Sequence, residues 1–266
     1  MLEVKELYFR HKDLKEDTLK DIKFLAESGK VTVILGPNGS GKSTLFKCII
    51  GIWKPYKGSI YANGKEINKL SYLERAKIFS VIPQEHEITF PYSVFDMVIT
   101  GRAPYIGLFS CPKKRDYEKT EIALKVLGIY HLKDKPYNKI SGGERQLVLI
   151  ARALAQSAPF MLLDEPVSHL DFRNQIKVLL KIKELTYKNK ITALVTLHDP
   201  NLASFFADKL VVIKNGKIIA EGKPQEILNE KLIEEVYGIK INLIQNNGFN
   251  LICPVLDFLT TNNMEV

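Results

Sequence analysis

"VTVILGPNGSGKST", residues 31–44, decides how the rest of the chain is read. Its first half, VTVIL, is an unbroken apolar run without the alternation of a half-buried strand. Such a run is buried on both faces, as in a parallel sheet covered by other elements. Its second half fits G-x-x-x-x-G-K-[ST] without a mismatch, from Gly36 to Ser43. A strand before and a helix after are the context that a phosphate-cradling loop requires. Gly36, Gly39 and Gly41, with Asn38, Ser40 and Thr44 between and after them, let backbone N–H groups wrap phosphate oxygens. Lys42 reaches the β and γ oxygens, and the Ser43 hydroxyl is a natural Mg²⁺ ligand.

Two further apolar runs have the same character. FMLL (160–163) leads into Asp164-Glu165-Pro166, and ITALVTL (191–197) leads into His198. In parallel open sheets, ligands sit beyond the carboxyl ends of the strands, so all three polar groups are expected on one edge. Asp164 is placed to hold Mg²⁺, and Glu165 to orient and activate a water for attack on the γ-phosphate. Alone, a strand end carrying Asp-Glu reads as solvated, and a lone histidine as structural. Beside a phosphate loop, both read as catalytic groups, with His198 contacting the γ-phosphate. Gln84, after SVIP, carries little meaning by itself.

A second glycine-rich helix start lies at ISGGERQ (140–146). Ser141 and Glu144 have the spacing of a capping box, in which each side chain takes the other residue's backbone N–H. A cap does not need Gly142 and Gly143, however. A helix start also attracts anions through free N–H groups and its dipole.

The remaining pattern organises the chain. Residues 2–9 read as a strand, and Asn63-Gly64 and Asn215-Gly216 mark hairpins within 58–67 and 209–222. Helices are expected over 42–50, over 118–127 with Ile122 and Val126 on its apolar face, over 141–155 with Leu147, Ile150, Ala151 and Leu154, and over 172–187 with Phe172, Ile176 and Leu179. The segment from Gln84 to Ser141 is helical and lacks buried strands, which marks a subdomain inserted into the sheet domain at about 85–158. The nucleotide-binding domain is expected over 1–238. An extension and tail follow over 239–266, ending in the polar TTNNMEV.

Basic residues outnumber acidic ones, 38 to 30, but they are scattered, and the densest cluster is KKR at 113–115; a solvated lysine-rich surface explains this. Cys48, Cys111 and Cys253 are far apart with no C-x-x-C, so a reduced, cytosolic compartment fits best. MLEVKELYF is not a signal peptide, and no apolar run approaches the ~20 residues of a membrane helix. A membrane role therefore has to run through a partner.

Taken together, the motifs resemble the nucleotide-binding subunit of an ATP-binding-cassette (ABC) transporter, over roughly residues 2–254. Residues 36–44 resemble its Walker A loop, Gln84 its Q-loop glutamine, ISGGE its LSGGQ signature and FMLLDEP its Walker B strand. SHLD (168–171) resembles its D-loop, and His198 its switch histidine. The resemblance implies an α/β P-loop NTPase (RecA-like) with a parallel-sheet core, an antiparallel β subdomain and an inserted helical subdomain. It implies ATP and Mg²⁺, with the metal at Ser43, Gln84 and Asp164, and catalysis by Glu165, His198 and Gln84. It further implies a head-to-tail homodimer in which Ser141, Gly142, Gly143, Glu144 and Asp171 of one chain meet ATP on the Walker A loop of the other. The adenine-stacking aromatic falls on His11, with Tyr8 the other candidate.

Three residues depart from the family pattern: Glu144 for glutamine, Ile140 for leucine, and His11 for tyrosine. MVITGRAPYIGLF (97–109), SGGERQLVLIARALAQ (141–156) and LIEEVYGI (232–239) further resemble ATPases of importers for iron–siderophore, haem and cobalamin, with molybdate and tungstate importers in the same group. Implied partners are integral-membrane permease subunits, docked near Gln84 and Phe90 at the cytoplasmic face of the membrane, and indirectly a substrate-binding protein. No nucleic acid is implied. The alternative is a soluble cassette ATPase, such as one for iron–sulfur assembly. A GTPase or small-molecule kinase lacks support, since no N-K-x-D occurs and ISGGE would be unexplained.

Overall fold

The computed structural model describes residues 1–84, 91–246 and 249–255. Phe90 and the TTNNMEV tail lie outside the described residues. In chain order the elements are β1 (Leu2–Phe9), β2 (Leu19–Ala26), β3 (Val31–Leu35), α1 (Lys42–Ile49), β4 (Lys57–Ala62), β5 (Lys65–Glu66), α2 (Tyr72–Ile78) and β6 (Phe79–Ile82). They continue with α3 (Val94–Ile99), α4 (Lys114–Val126), α5 (Gly142–Gln156), β7 (Phe160–Asp164), α6 (Phe172–Asn189), β8 (Thr192–Leu197) and α7 (Pro200–Phe206). The chain then forms β9 (Lys209–Lys214), β10 (Lys217–Gly222), α8 (Pro224–Ile227), α9 (Glu230–Tyr237), β11 (Ile241–Asn246) and β12 (Phe249–Pro254).

The main sheet has the order β10-β9-β3-β8-β7-β6. Strands β9, β3, β8, β7 and β6 run parallel, and β10 folds back antiparallel. As the unbroken apolar runs require, β3 and β8 are buried along their whole length. Alternate residues feed two cores. Val31, Val33, Leu35, Met161 and Leu163 face the helices, while Ile34, Phe160, Leu162 and Leu194 face α1 and a second, antiparallel sheet of order β2-β1-β4-β5. Both hairpin signals hold. Asn63 and Gly64, like Asn215 and Gly216, take the positive φ values that a two-residue turn demands.

Register decides where the site lies. Leu35 pairs with Leu197, Asp164 with Thr196, and Ile82 with Leu163. The chains leaving β3, β8, β7 and β6 therefore emerge almost level on one edge, carrying Gly36, His198, Glu165 and Gln84.

Two helix faces differ from expectation. Helix α4 starts at Lys114 and buries Asp116, Thr120, Ala123 and Leu124, leaving Ile122 53% and Val126 39% exposed. The inward stripe begins with a carboxylate because Arg102 meets it: Nε lies 3.0 Å from Asp116 Oδ1, and Nη1 donates to the Ala155 carbonyl. Helix α6 buries Val178, Leu179, Ile182 and Leu185 rather than Phe172, which is 75% exposed. Helix α5 is covered by α3, α4, α6 and β6, so Val148 and Leu149 are buried as well as Ile150 and Ala151, while Leu147 and Leu154 are half-buried. The stretch set apart from residue 239 forms the β11–β12 hairpin, whose Ile241 and Ile252 join the helix-side core. The three cysteines are free thiols; burial pushes that of Cys48 up to about 12.

Candidate functional site

The loop between β3 and α1 is held from both sides. At Gly36 a Cβ would come within 2.2 Å of the Ile213 carbonyl oxygen on β9, so the close approach needs glycine. Ser40 is buried, and its carbonyl accepts from Gly216 N on the β9–β10 turn at 3.1 Å. That turn in turn abuts Thr18 and Lys20: Lys20 N donates to Gly216 O, and a Cβ on Gly216 would meet Thr18 O at 2.2 Å. The Asn215-Gly216 hairpin, which carries no chemistry of its own, thus buttresses the phosphate loop.

Helix α1 opens on Gly41 in a left-handed conformation, with no side-chain cap and no acidic residue in its first turn. Its leading N–H groups and dipole therefore remain available to an anion. Gly39 has positive φ and open space where a Cβ would be. The Ser40 hydroxyl is buried without a hydrogen-bond partner. A cavity of about 320 Å³ lies here, lined by Thr18, Gly39, Lys42, Ser43, Gln84 and Glu165 among others. These features fit a polyphosphate chain: uncapped donors, a buried hydroxyl without a partner, and a lysine. A larger cavity of about 1020 Å³ lies at the opposite edge of the sheet, beside Gly29, Lys190 and Asp208. It is remote from these strand ends, and Lys183 in it is paired to Asp208 at 3.1 Å, so size does not locate the chemistry here.

Lys42 is buried, and its Nζ donates to Gly36 O at 2.8 Å and Pro37 O at 3.1 Å. Glu165 Oε1 lies 3.8 Å from it. Burial lowers the Lys42 pKa, with Glu165 and Asp164 opposing the shift. A desolvated cation beside a loop of N–H groups is a strong point of attraction for phosphate.

Glu165 is the hub. Its Oε2 accepts from Gln84 Nε2 at 3.3 Å and lies 3.3 Å from His198 Nδ1. Its backbone sits at φ +45°, a strained value for a residue with a Cβ. Three contacts keep it there. Glu165 N donates to Thr196 Oγ1 at 2.8 Å, and Ser168 donates to Glu165 O through both N and Oγ. Thr196 Oγ1 also donates to Asp164 Oδ1 at 2.6 Å, so one hydroxyl sets both carboxylate residues. Thr196 and Thr18 are site residues that motif reading misses. The one signal for Thr196 is a hydroxyl two residues before His198 in a mostly apolar run, and the register pairs it with Asp164.

Of the two adenine candidates, Tyr8 lies within β1 with its ring against Tyr56 and Lys57. His11 lies just beyond β1, partly exposed, with edge contacts to Phe9 and Trp53.

The second glycine start is built differently. Glu144 Oε2 accepts from Ser141 N and Oγ at 2.8 Å each, and Glu144 N donates to Ser141 Oγ at 3.3 Å. The capping box is therefore present. Gly143 has a packing reason, since a Cβ there would stand 2.9 Å from Asn174 Cγ. Asn174 is in turn bonded to Asp171, which caps α6. Gly142 has no such reason, with only Leu170 Cδ2 near, at 3.8 Å. Ser141, Gly142, Gly143, Glu144 and Asp171 do not line the cavity at Lys42.

A parallel sheet with this loop, a lysine and a carboxylate hub at its strand ends defines a P-loop nucleotide hydrolase. The chain matches the ABC transporter family over residues 19–168 and belongs to it. It is 36% identical to the ferric enterobactin transport ATP-binding protein FepC of Escherichia coli over 229 residues, covering 85% of this chain and 84% of FepC. Among solved structures it resembles a chain described as of a metal-chelate type ABC transporter in an inward-facing conformation, with 30% identity and TM-score 0.85 over 97% of this chain and 98% of that one. It also resembles the ATP-binding cassette MJ0796 in a dimeric post-hydrolysis state bound to ADP and phosphate, with 27% identity and TM-score 0.72 over 84% and 99%. The protein is thus an ATPase of the ABC transporter class with a P-loop fold, and the iron–sulfur assembly alternative is not favoured. Among the described residues, no helix is long and apolar enough to cross a membrane.

Proposed function

We propose that this chain energises an importer of metal chelates, iron–siderophore complexes foremost, by ATP-driven head-to-tail dimerisation of two copies at the cytoplasmic face of the membrane. The observation that carries the chemistry is the convergence of Lys42, Gln84 and His198 on Glu165. Glu165 draws a proton from the attacking water, Gln84 and His198 hold its carboxylate and the γ-phosphate side of the site, and Lys42 neutralises the phosphate oxygens. Ser43, Asp164 and the Gln84 amide oxygen are hard oxygen donors suited to Mg²⁺. Gln84 donates through Nε2, and Thr196 bonds Asp164 at Oδ1. Among the described residues no cluster of three acidic, histidine or cysteine side chains forms a cation cage. When bound, the ion neutralises charge on the β and γ phosphates.

His11 stacks on adenine, beyond β1. Ser141, Gly142, Gly143 and Glu144, with Asp171 behind them, serve the ATP of the partner copy, which is why Gly142 lacks a reason within its own chain. Residues 85–158 act as the inserted helical subdomain within the 1–238 domain. The groove of about 390 Å³ between α2 and this segment, with exposed Ile52 and Tyr72, receives a cytoplasmic helix of the permease. Leu108 and Phe109 in the GRAPYIGLF stretch, 92% and 98% exposed, are suited to a partner's surface. FepC's ferric enterobactin transport and the metal-chelate type of the structural neighbour support the cargo class. A substrate-binding protein delivers that cargo to the permease. The test is uptake of radiolabelled ferric chelate in cells deleted for this chain. Uptake falls to background and is restored by the wild type but not by Glu165→Gln. Undiminished uptake of every ferric chelate tried overturns the cargo reading.

A further inference from the structure

Strand β8 makes its last ladder pair at Leu197 with Leu35. His198 follows without a sheet partner, and its side chain is 53% exposed. A half-exposed ring on a backbone leaving a sheet has several torsions to choose from, yet Nδ1 stands 3.3 Å from Glu165 Oε2. Something other than the ladder fixes that backbone.

The fixing comes from the C-terminal end of the chain. Tyr237, the last residue of α9, donates its hydroxyl to the His198 carbonyl oxygen at 3.0 Å. Its ring packs on the helix-side core, so the donor is carried on a wedged body rather than a free side chain. The residues just after His198 are tied as well. Asp199 Oδ1 accepts from Asn201 N and Leu202 N, capping α7. The Asn201 side chain grips Ile252 on β12 twice, accepting from its N at 2.8 Å and donating to its O at 3.1 Å. Asn250 Nδ2 donates to Leu228 O, which ties β12 to the end of α8. The segment from α9 to β12 is thus linked to the turn after β8 at two points, the His198 carbonyl itself and Asn201 three residues on.

We infer that Tyr237 is a positioning residue for ATP hydrolysis: by holding the His198 carbonyl it aims the imidazole at Glu165, and the C-terminal segment serves as its support. This rests on the reading of His198 as the γ-phosphate-side histidine. Tyr237 does not line the cavity at Lys42 and acts only through His198.

Tyr237→Phe keeps the ring in the core and removes only the hydroxyl. The test is a cycle of four full-length chains: wild type, Tyr237→Phe, His198→Ala and the double variant. Single-turnover ATP hydrolysis, ATP KM and thermal unfolding are measured for each. Tyr237→Phe is expected to lower the hydrolysis rate about fivefold, the worth of one neutral hydrogen bond, with KM unchanged because Lys42 is untouched. Its melting temperature stays within about 2 °C of the wild type. In the His198→Ala background the same substitution changes the residual rate by less than about twofold, because there is no ring left to aim. An unchanged rate in Tyr237→Phe beside an impaired His198→Ala chain overturns the inference and leaves the histidine standing. A fivefold loss in both backgrounds also overturns it, since the hydroxyl would then act on the fold at large. Wild-type turnover in His198→Ala removes the reading of His198 itself, and the role of Tyr237 with it.

Discussion

Two helices of this chain begin on glycine-rich turns, and they spend their leading N–H groups differently. Helix α1 starts on Gly41 with no side-chain cap, beside a cavity, a buried lysine and a hydroxyl without a partner. Helix α5 starts on Ser141 with its own capping box closed by Glu144. The first start has the open donors and the cation that suit an anion. The second is already a stable helix end, yet it keeps Gly142 where its own chain has room for a side chain. A glycine with no internal reason at a helix start points to something outside the chain. The two starts are therefore not equivalent: one has its N–H groups open beside the cavity at Lys42, and the other is closed by its own side chains, which agrees with the proposal that it serves the nucleotide of a partner copy.

The sharpest way to break that comparison is to damage each start and mix the products. Lys42→Ala is expected to lose ATP binding, because the one buried cation of the loop is gone. Ser141→Arg is expected to lose turnover while its ATP affinity stays that of the wild type. Each homodimer then has two broken composite sites. A mixed dimer has one site with an intact loop and an intact ISGGE, so turnover returns in part and rises with total protein concentration. Absence of recovery, together with lost ATP affinity in Ser141→Arg, would place both starts in one chain's site.

Nearly as large is the effect expected of Glu165→Gln. Nucleotide binding survives and hydrolysis falls by about a hundredfold or more, because the proton acceptor is lost while Lys42 and the loop are kept. ATP should then hold the chain as a dimer measurable by light scattering. A monomer in saturating ATP would cut α5 out of the site altogether.

Much of this was legible from sequence, for definable reasons. Parallel strands buried on both faces leave unbroken apolar runs, and the phosphate loop sits in sequence at the end of one, so Gly36, Lys42, Glu165 and His198 could be placed on one edge. The capping box was legible because Ser141 and Glu144 are three residues apart. What escaped was long-range. The apolar residues of α4 mislead because its inward face is set by Arg102 reaching Asp116 from another element. Thr196 and Gly216 matter through contacts with Asp164 and Ser40, whose partners only the sheet register and the β9–β10 turn supply. Gly142 and Gly143 read alike in sequence, and only the neighbourhood of Asn174 separates them.

That separation gives a smaller, cleaner contrast. Gly36→Ala drives a Cβ to 2.2 Å from the Ile213 carbonyl oxygen, so loop or strand has to shift, at a cost of about 1–3 kcal/mol of stability. Gly142→Ala meets only Leu170 at 3.8 Å. Its melting temperature should stay within about 2 °C of the wild type while turnover drops, if the proposed composite site is right and the added methyl meets the partner's nucleotide. Equal stability losses in the two variants would erase the distinction between Gly36 and Gly142.

The smallest effect is in pH, and it separates the two starts by window. The Ser141 backbone N–H, and then its hydroxyl, hold the Glu144 carboxyl below its ordinary value of 4.5. Between its folded value and 4.5 the unfolded chain binds more protons, so stability rises with pH there. The contribution of the box is complete above about pH 4.5 and is lost as pH falls through the folded value. Lys42 is shifted down by burial from its ordinary 10.5, with the opposite consequence for the native state. Burying its charge costs stability at all pH values below its folded pKa, and that cost is relieved as pH rises towards 10.5. Denaturant unfolding of the wild type, Glu144→Gln and Lys42→Met across pH 3 to 10 reads both. Glutamine keeps the box geometry, so Glu144→Gln should differ from the wild type by about 0.5 kcal/mol at neutral pH and converge with it in acid. Lys42→Met should instead gain on the wild type at neutral pH, with the gap closing on the alkaline side. A Glu144→Gln difference that persists unchanged into acid would show that the carboxylate charge does not close α5, and that the second start is as open as the first.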